Sequence, residues 1–95
     1  MLTTVYVVIG DRDRRLTDAG WATYCADVTR AIEGYAVRVH GTWRSDPTDT
    51  WRSACFAVRV ALADADQLKA ALTAARTRHA QRSIAWAEAE TTLFL

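Results

Sequence analysis

Residues 51–62 read WRSACFAVRVAL. Ala54, Phe56, Val58, Val60 and Leu62 occupy every second position, with Trp51, Ser53, Cys55, Ala57 and Arg59 between them. A period of two marks a strand with one buried face, because successive side chains leave opposite sides of the pleat. The first row is wholly apolar and requires a core. The second mixes small, polar and charged side chains and faces away. Upstream, YAVRVHGTW (35–43) alternates in the same manner, and RSDPTDT (44–50) lies between the two. Asp46, Pro47 and Asp49 supply turn chemistry there, so the whole stretch predicts a β-hairpin.

Further upstream, TTVYVVIG (3–10) is a β-branched run closed by glycine and reads as a first strand. DRDRR (11–15) is a solvated, mixed-sign connection. LTDAGWATYCADVTRAIEG (16–34) reads as a helix, with Thr17 as N-cap, Asp18 in the first turn and Gly34 past the end. Its apolar stripe is Trp21, Cys25, Val28 and Ile32. Downstream, DADQLKAALTAARTRHA (64–80) reads as a second helix. Asp64 and Gln67 are spaced as a capping box, and Leu68, Ala71, Leu72 and Ala75 form the stripe. Arg76, Arg78 and Arg82 suit the negative end of its dipole, with His79 capping it. SIAWAEAETTLFL (83–95) closes the chain as a fourth strand.

The order is β-α-β-β-α-β. Right-handed crossovers then give an α+β sandwich: a four-stranded antiparallel sheet, order 4-1-3-2, with both helices on one face. This resembles the ferredoxin-like superfold over nearly the whole chain. That superfold hosts many unrelated activities, so function has to be argued from particular side chains.

The length, 95 residues, predicts one domain over 1–95. A net charge of +1 gives no bulk attraction to nucleic acid or to an anionic membrane. Lys69 is the only lysine, and the Arg and Ala bias reads as a GC-rich coding genome. The N-terminus has neither the charge nor the apolar length of a signal peptide, and no run is long enough to span a bilayer. A cytoplasmic setting with free Cys25 and Cys55 is expected. No glycine-rich phosphate loop occurs, and no cofactor is expected. His40, His79, Asp46 and Asp49 lack metal-ligand spacing, so no metal is expected either.

Strand parity sorts the sheet into two faces. It sends Val37, Val39 and Trp43 inward, and Arg38, His40 and Arg44 outward. In the fourth strand, one choice buries Ala85, Ala87 and Ala89; the reverse buries Glu88 and Glu90. Unpaired buried carboxylates are costly, which favours the first. The helix-free face would then centre on Tyr6, Val8, Cys55, Ile84 and Trp86. Arg38, His40, Arg44 and Arg59 would flank one side, and Glu88 and Glu90 the other. Two copies packed antiparallel would set arginines against glutamates, the self-complementarity that a two-fold axis needs. In this respect the chain resembles the dimeric α+β barrels. Exposed Trp51 adds an interface candidate at the hairpin, with Arg52 expected to stack on Trp43.

Three chemistries compete with an interaction surface. VYVVIG and RSACFAVR resemble the first and third strands of the RNA-recognition motif, with Arg52 and Phe56 matching. Parity puts Phe56 in the core, and Ser53 and Ala54 depart from the pattern, leaving only Tyr6 to stack on a base; nucleic acid is not expected. A hairpin register summing to 95 would set His40 opposite Cys55, where an imidazolium would activate the thiol. A buried, inert cysteine is the commoner arrangement. Cofactor-free monooxygenases share this fold and length, and by that resemblance Trp21, Trp43, Trp86, Tyr24 and His40 would line a cavity for a small molecule between sheet and helices. The expected function is a non-catalytic interaction module. It would use the helix-free face on a second copy or another protein, away from membranes.

Overall fold

Strands β1 (Leu2–Asp11) and β3 (Arg52–Ala61) pair antiparallel along their full ten residues, from Leu2 opposite Ala61 to Asp11 opposite Arg52. The computed structural model describes residues 1–89 together with Leu93 and Leu95. Strand β2 (Arg38–Arg44) adds to β3 and strand β4 (Ala85–Glu88) to β1, giving the sheet order β2-β3-β1-β4. Helices α1 (Asp18–Tyr35) and α2 (Leu62–Arg78) cover one face. The architecture is the ferredoxin-like α+β sandwich expected from the sequence.

The core lies where periodicity is strictest. Val5, Val7 and Ile9 of β1 and Ala54, Phe56, Val58 and Val60 of β3 are buried. Against them pack Tyr24, Cys25, Val28 and Ile32 of α1, and Ala65, Leu68, Leu72 and Ala75 of α2. Tyr24 is fully buried, its hydroxyl has no hydrogen-bond partner among the described residues, and burial pushes its pKa up to about 12. Trp21, expected in the stripe, is only half-buried. Its ring instead receives the Arg52 guanidinium at 5.6 Å, the place expected for Trp43.

Thr17 caps α1 as predicted, its Oγ1 accepting from Gly20 N at 2.9 Å. The helix runs on to Tyr35, so Gly34 lies within its last turn. Helix α2 starts earlier than expected: β3 passes straight into it, Ala61 is the N-cap and no side chain caps it. Asp64 and Gln67 therefore form no capping box, and Leu62 opens the helix instead of ending the strand row. At the far end Ala80 takes a left-handed conformation (φ 54°), while Gln81 N donates to Arg76 O and Ala80 N to Thr77 O. These are the two bonds of a Schellman motif, built here on alanine where glycine is usual.

The sheet edges depart further from expectation. All seven residues of strand β2 are exposed. Val37, Val39 and Trp43 are therefore not core. The cause beyond Val39 is a β-bulge. Val39 pairs with Val58 but Gly41 with Ala57, leaving His40 as the extra residue. From there parity inverts, placing Trp43 opposite Cys55 on the helix-free side and Arg44 opposite buried Ala54 on the helix side.

Strand β4 is also reversed. Trp86 pairs with Val7 and Glu88 with Val5, both core residues, while Ala85 pairs with Val8 and Ala87 with Tyr6. Ile84 and Trp86 pack on the core, and the Lys69 ammonium sits 5.0 Å over the Trp86 ring. At Glu88 the costly carboxylate burial does not arise. Glu88 lies at the exposed edge and accepts from Trp86 Nε1 at 3.0 Å. Glu90 falls outside the described residues.

Candidate functional site

The helix-free face is assembled by the two strand registers. One row across it runs Trp43, Cys55, Val8, Ala85; the next runs Gly41, Ala57, Tyr6, Ala87. Beyond these, Arg38 stands directly opposite Arg59. The middle is small and apolar, with Cys55 and Ala57 half-buried and Val8 36% exposed. Tyr6 and Trp43 rise from it, 44% and 58% exposed. Like charges directly opposed on a sheet destabilise it by a few tenths of a kcal/mol, on the order of other cross-strand pairs, unless an acid lies nearby.

The expected interface residues divide between the two sides. Tyr6, Val8, Arg38 and Arg59 lie on the helix-free face, and Trp51 borders it beside Gly10. Arg44, Ile84, Trp86 and Glu88 lie on the helix side, and His40 is the bulged residue of the β2 edge. The predicted charge complementarity is thereby lost: among the described residues the open face carries arginines and no carboxylate. The Cys55–His40 pair is lost as well, since the residue opposite Cys55 is Trp43. Cys25 is buried in the core, which pushes its thiol up; Arg44 and Arg52 nearby offset only part of that.

Trp43 is the face residue that sequence reasoning missed. The signal was present, since Gly41 interrupts an otherwise regular strand pattern and such a glycine marks a bulge. Of the proposed cavity liners Trp21 and Tyr24 meet edge to face, their ring centroids 6.2 Å apart, but His40 and Trp43 lie on the β2 edge and Trp86 on the β4 edge, at opposite sides of the sheet. A shallow groove of about 350 Å³ does run beside Trp86, between α2 and β4, with Lys69, Arg76 and Arg82 in its walls.

A polar cluster fixes the end of the sheet next to Trp51. Arg52 Nη2 donates to Asp11 Oδ2 and to Leu16 O, each at 2.6 Å, and Nη1 to Asp18 Oδ1 at 2.9 Å. Asp11 also accepts from Leu16 N, closing the β1–α1 connection onto the strand end. Arg14 donates to the carbonyls of Pro47 and Asp49 and so ties that connection to the hairpin. Both Asp11 and Arg52 are buried, so this cluster is a scaffold and not a docking group.

A second polar pair joins the helices. His79 Nε2 lies 2.7 Å from Asp27 Oδ2; an ionised carboxylate only accepts, so Nε2 carries the proton. This bond, with Arg78 and Arg30 close by, holds the Asp27 carboxyl below its ordinary range. The Tyr24 ring packs 5.0 Å from the imidazole. Among the described residues no three His, Cys, Asp or Glu side chains gather as metal ligands, and no helix is long and apolar enough to cross a membrane.

No family model matches the chain, and no curated protein matches it.

Proposed function

We propose that the chain is a non-catalytic interaction module whose helix-free sheet face holds another protein, one presenting an apolar patch edged by carboxylates. The observation that carries this reading is the face itself: small apolar side chains between Tyr6 and Trp43, with Arg38 opposed to Arg59 and no acid among the described residues beside them. Apolar patches rimmed by polar groups mark contact surfaces, and exposed Trp and Tyr are favoured anchors there. The charge argues for a foreign partner over a second copy. A two-fold axis would set one positive face against another, whereas an acidic rim would relieve the Arg38–Arg59 repulsion.

Light scattering on the isolated chain should give a monomer. A photo-crosslinker at Ala57, in cells that make the chain naturally, should capture one protein that a crosslinker at Ala70 on α2 does not. That protein, once purified, should bind wild type and lose binding in Arg59→Glu. A dimer dissolved by Ala57→Arg would assign the face to a second copy and overturn the foreign partner. Salt-sensitive binding of single-stranded RNA, abolished by Tyr6→Ala, would overturn the protein reading altogether.

A further inference from the structure

Strand β4 begins at Ala85, beside Val8, and among the described residues no strand pairs with β1 on that side from Ile9 onward. Ala89 N donates to Thr4 O at 2.9 Å, which fixes the residues whose backbone turns toward β4. They are Thr4, Tyr6 and Val8, and by the same antiparallel alternation Gly10. The Gly10 N–H and C=O thus point past the strand end. A cleft of about 920 Å³ lies there, within the range of roughly 300–1,000 Å³ typical of small-molecule sites.

The walls are of two kinds. Val8 and Ala85 from the helix-free face and Leu16 from the β1–α1 connection are apolar lining, while Arg12 and Arg15 from that connection and Arg82 from the α2–β4 connection are the basic lining. Trp51 closes one side, with Arg12 5.2 Å over its ring. Glycine on the strand gives the ring room to approach, because a Cβ at Gly10 would stand 3.1 Å from Trp51 Nε1 and the indole would have to give way. The lining includes no carboxylate among the described residues. The Schellman turn at Ala80 holds Arg82, and the Arg52–Asp11 cluster holds the other wall, so both sides of the cleft are anchored.

We infer that this cleft binds an organic anion, a phosphate or carboxylate group carried on an apolar body. The anionic head lies among Arg12, Arg15 and Arg82, where guanidinium forks give short, charge-assisted bonds. Gly10, Trp51, Ser53, Gln81 and Ser83 of the lining carry neutral donors. The body rests on Val8, Leu16 and Ala85. This inference does not depend on a protein partner, although the cleft shares Val8 and Ala85 with the open face.

The test is a titration of the isolated chain with phenyl phosphate and, separately, inorganic phosphate, followed by NMR at the Trp51 indole N–H and the Gly10 and Ser83 amides. Phenyl phosphate should give saturable shifts at those three groups, with an affinity about tenfold or more above that of inorganic phosphate. Arg82→Ala should lower it about tenfold or more, and Arg30→Ala on α1 should leave it unchanged. Equal loss in both variants would overturn the site, as would shifts that stay linear into the millimolar range. Equal affinity for the two phosphates would overturn the role of the apolar lining. Both arginines are exposed or at the surface, so either variant should keep the fold.

Discussion

The two central strands and the two edge strands obey different rules. In β1 and β3 the alternation of side chains predicts burial residue by residue: Val5, Val7, Ile9, Ala54, Phe56, Val58 and Val60 are all inside. In β2 and β4 the same reasoning misplaces Trp43, Arg44, Trp86 and Glu88. A central strand is held on both sides by its neighbours and from one face by both helices, so a slip of one residue would expose a whole apolar row. An edge strand is held on one side only. It can absorb an extra residue, or turn a glutamate toward the helix layer and leave it in water, at little cost.

The contrast predicts its largest effect at Phe56. Phe56→Ala empties a core position that is 2% exposed and should cost about 3–5 kcal/mol in denaturant unfolding. Trp43→Ala removes a larger side chain from β2 and should change stability by no more than about 0.5 kcal/mol, as expected for an exposed site. Comparable losses in the two would mean that β2 is covered in solution, and that the edge differs from the centre only in the isolated chain.

The next effect tests the orientation of β4. Trp86 is half-buried against the core and under Lys69, so Trp86→Ala should cost about 1.5–3 kcal/mol. Ala87→Glu, one residue along on the open face, should be nearly neutral to folding. The opposite ranking would restore the orientation in which Trp86 faces away from the helices. It follows that Trp86 variants report on the core and are unsuited to probing the open face.

Deleting His40 should have a smaller cost, about 1 kcal/mol or less, the size of a lost cross-strand pair. Its main readout is geometric. Without the extra residue the bulge disappears, Gly41 follows Val39 directly, and Gly41, Thr42, Trp43 and Arg44 keep Ala57, Phe56, Cys55 and Ala54 as partners. Nuclear Overhauser contacts between the Trp43 indole and Cys55 should be present in wild type and retained in the deletion. Their loss would mean that His40 is not the unpaired residue and that the register beyond Val39 is set elsewhere in β2.

These cases also separate what the sequence makes legible from what it hides. Element order, strand order, the Thr17 cap and the inner faces of β1 and β3 follow from local pattern, because burial and hydrogen bonding there reward the same choice. The orientation of β4 turned on weighing two glutamates against Ile84 and Trp86, and the decisive quantity, that Glu88 would stay in water at the edge, is tertiary. Gly41 advertised the bulge, but its consequence for Trp43 needs the register. The cleft was illegible. Arg12, Arg15 and Arg82 are scattered charges in the sequence, and only the early end of β4 and the turn at Ala80 bring them around Gly10.

Charge pairs sharpen the comparison at its smallest scale. The Arg52–Asp11 pair closes the ends of the central strands in a buried setting, whereas Asp27–His79 joins the helices near the surface. The Asp27 carboxyl is held below its ordinary range, chiefly by the hydrogen bond from His79. A depressed carboxylate stabilises the fold fully above its unfolded value, near pH 4, and loses that contribution as pH falls through the lower folded value. Asp27→Asn should therefore reduce stability at neutral pH by about 1 kcal/mol or less, the size of a partly solvated pair. The gap from wild type should close as the solution is taken below about pH 4. A gap that stays constant into acid would mean that the stabilising contact is neutral packing of His79 against Tyr24, with the Asp27 charge contributing nothing.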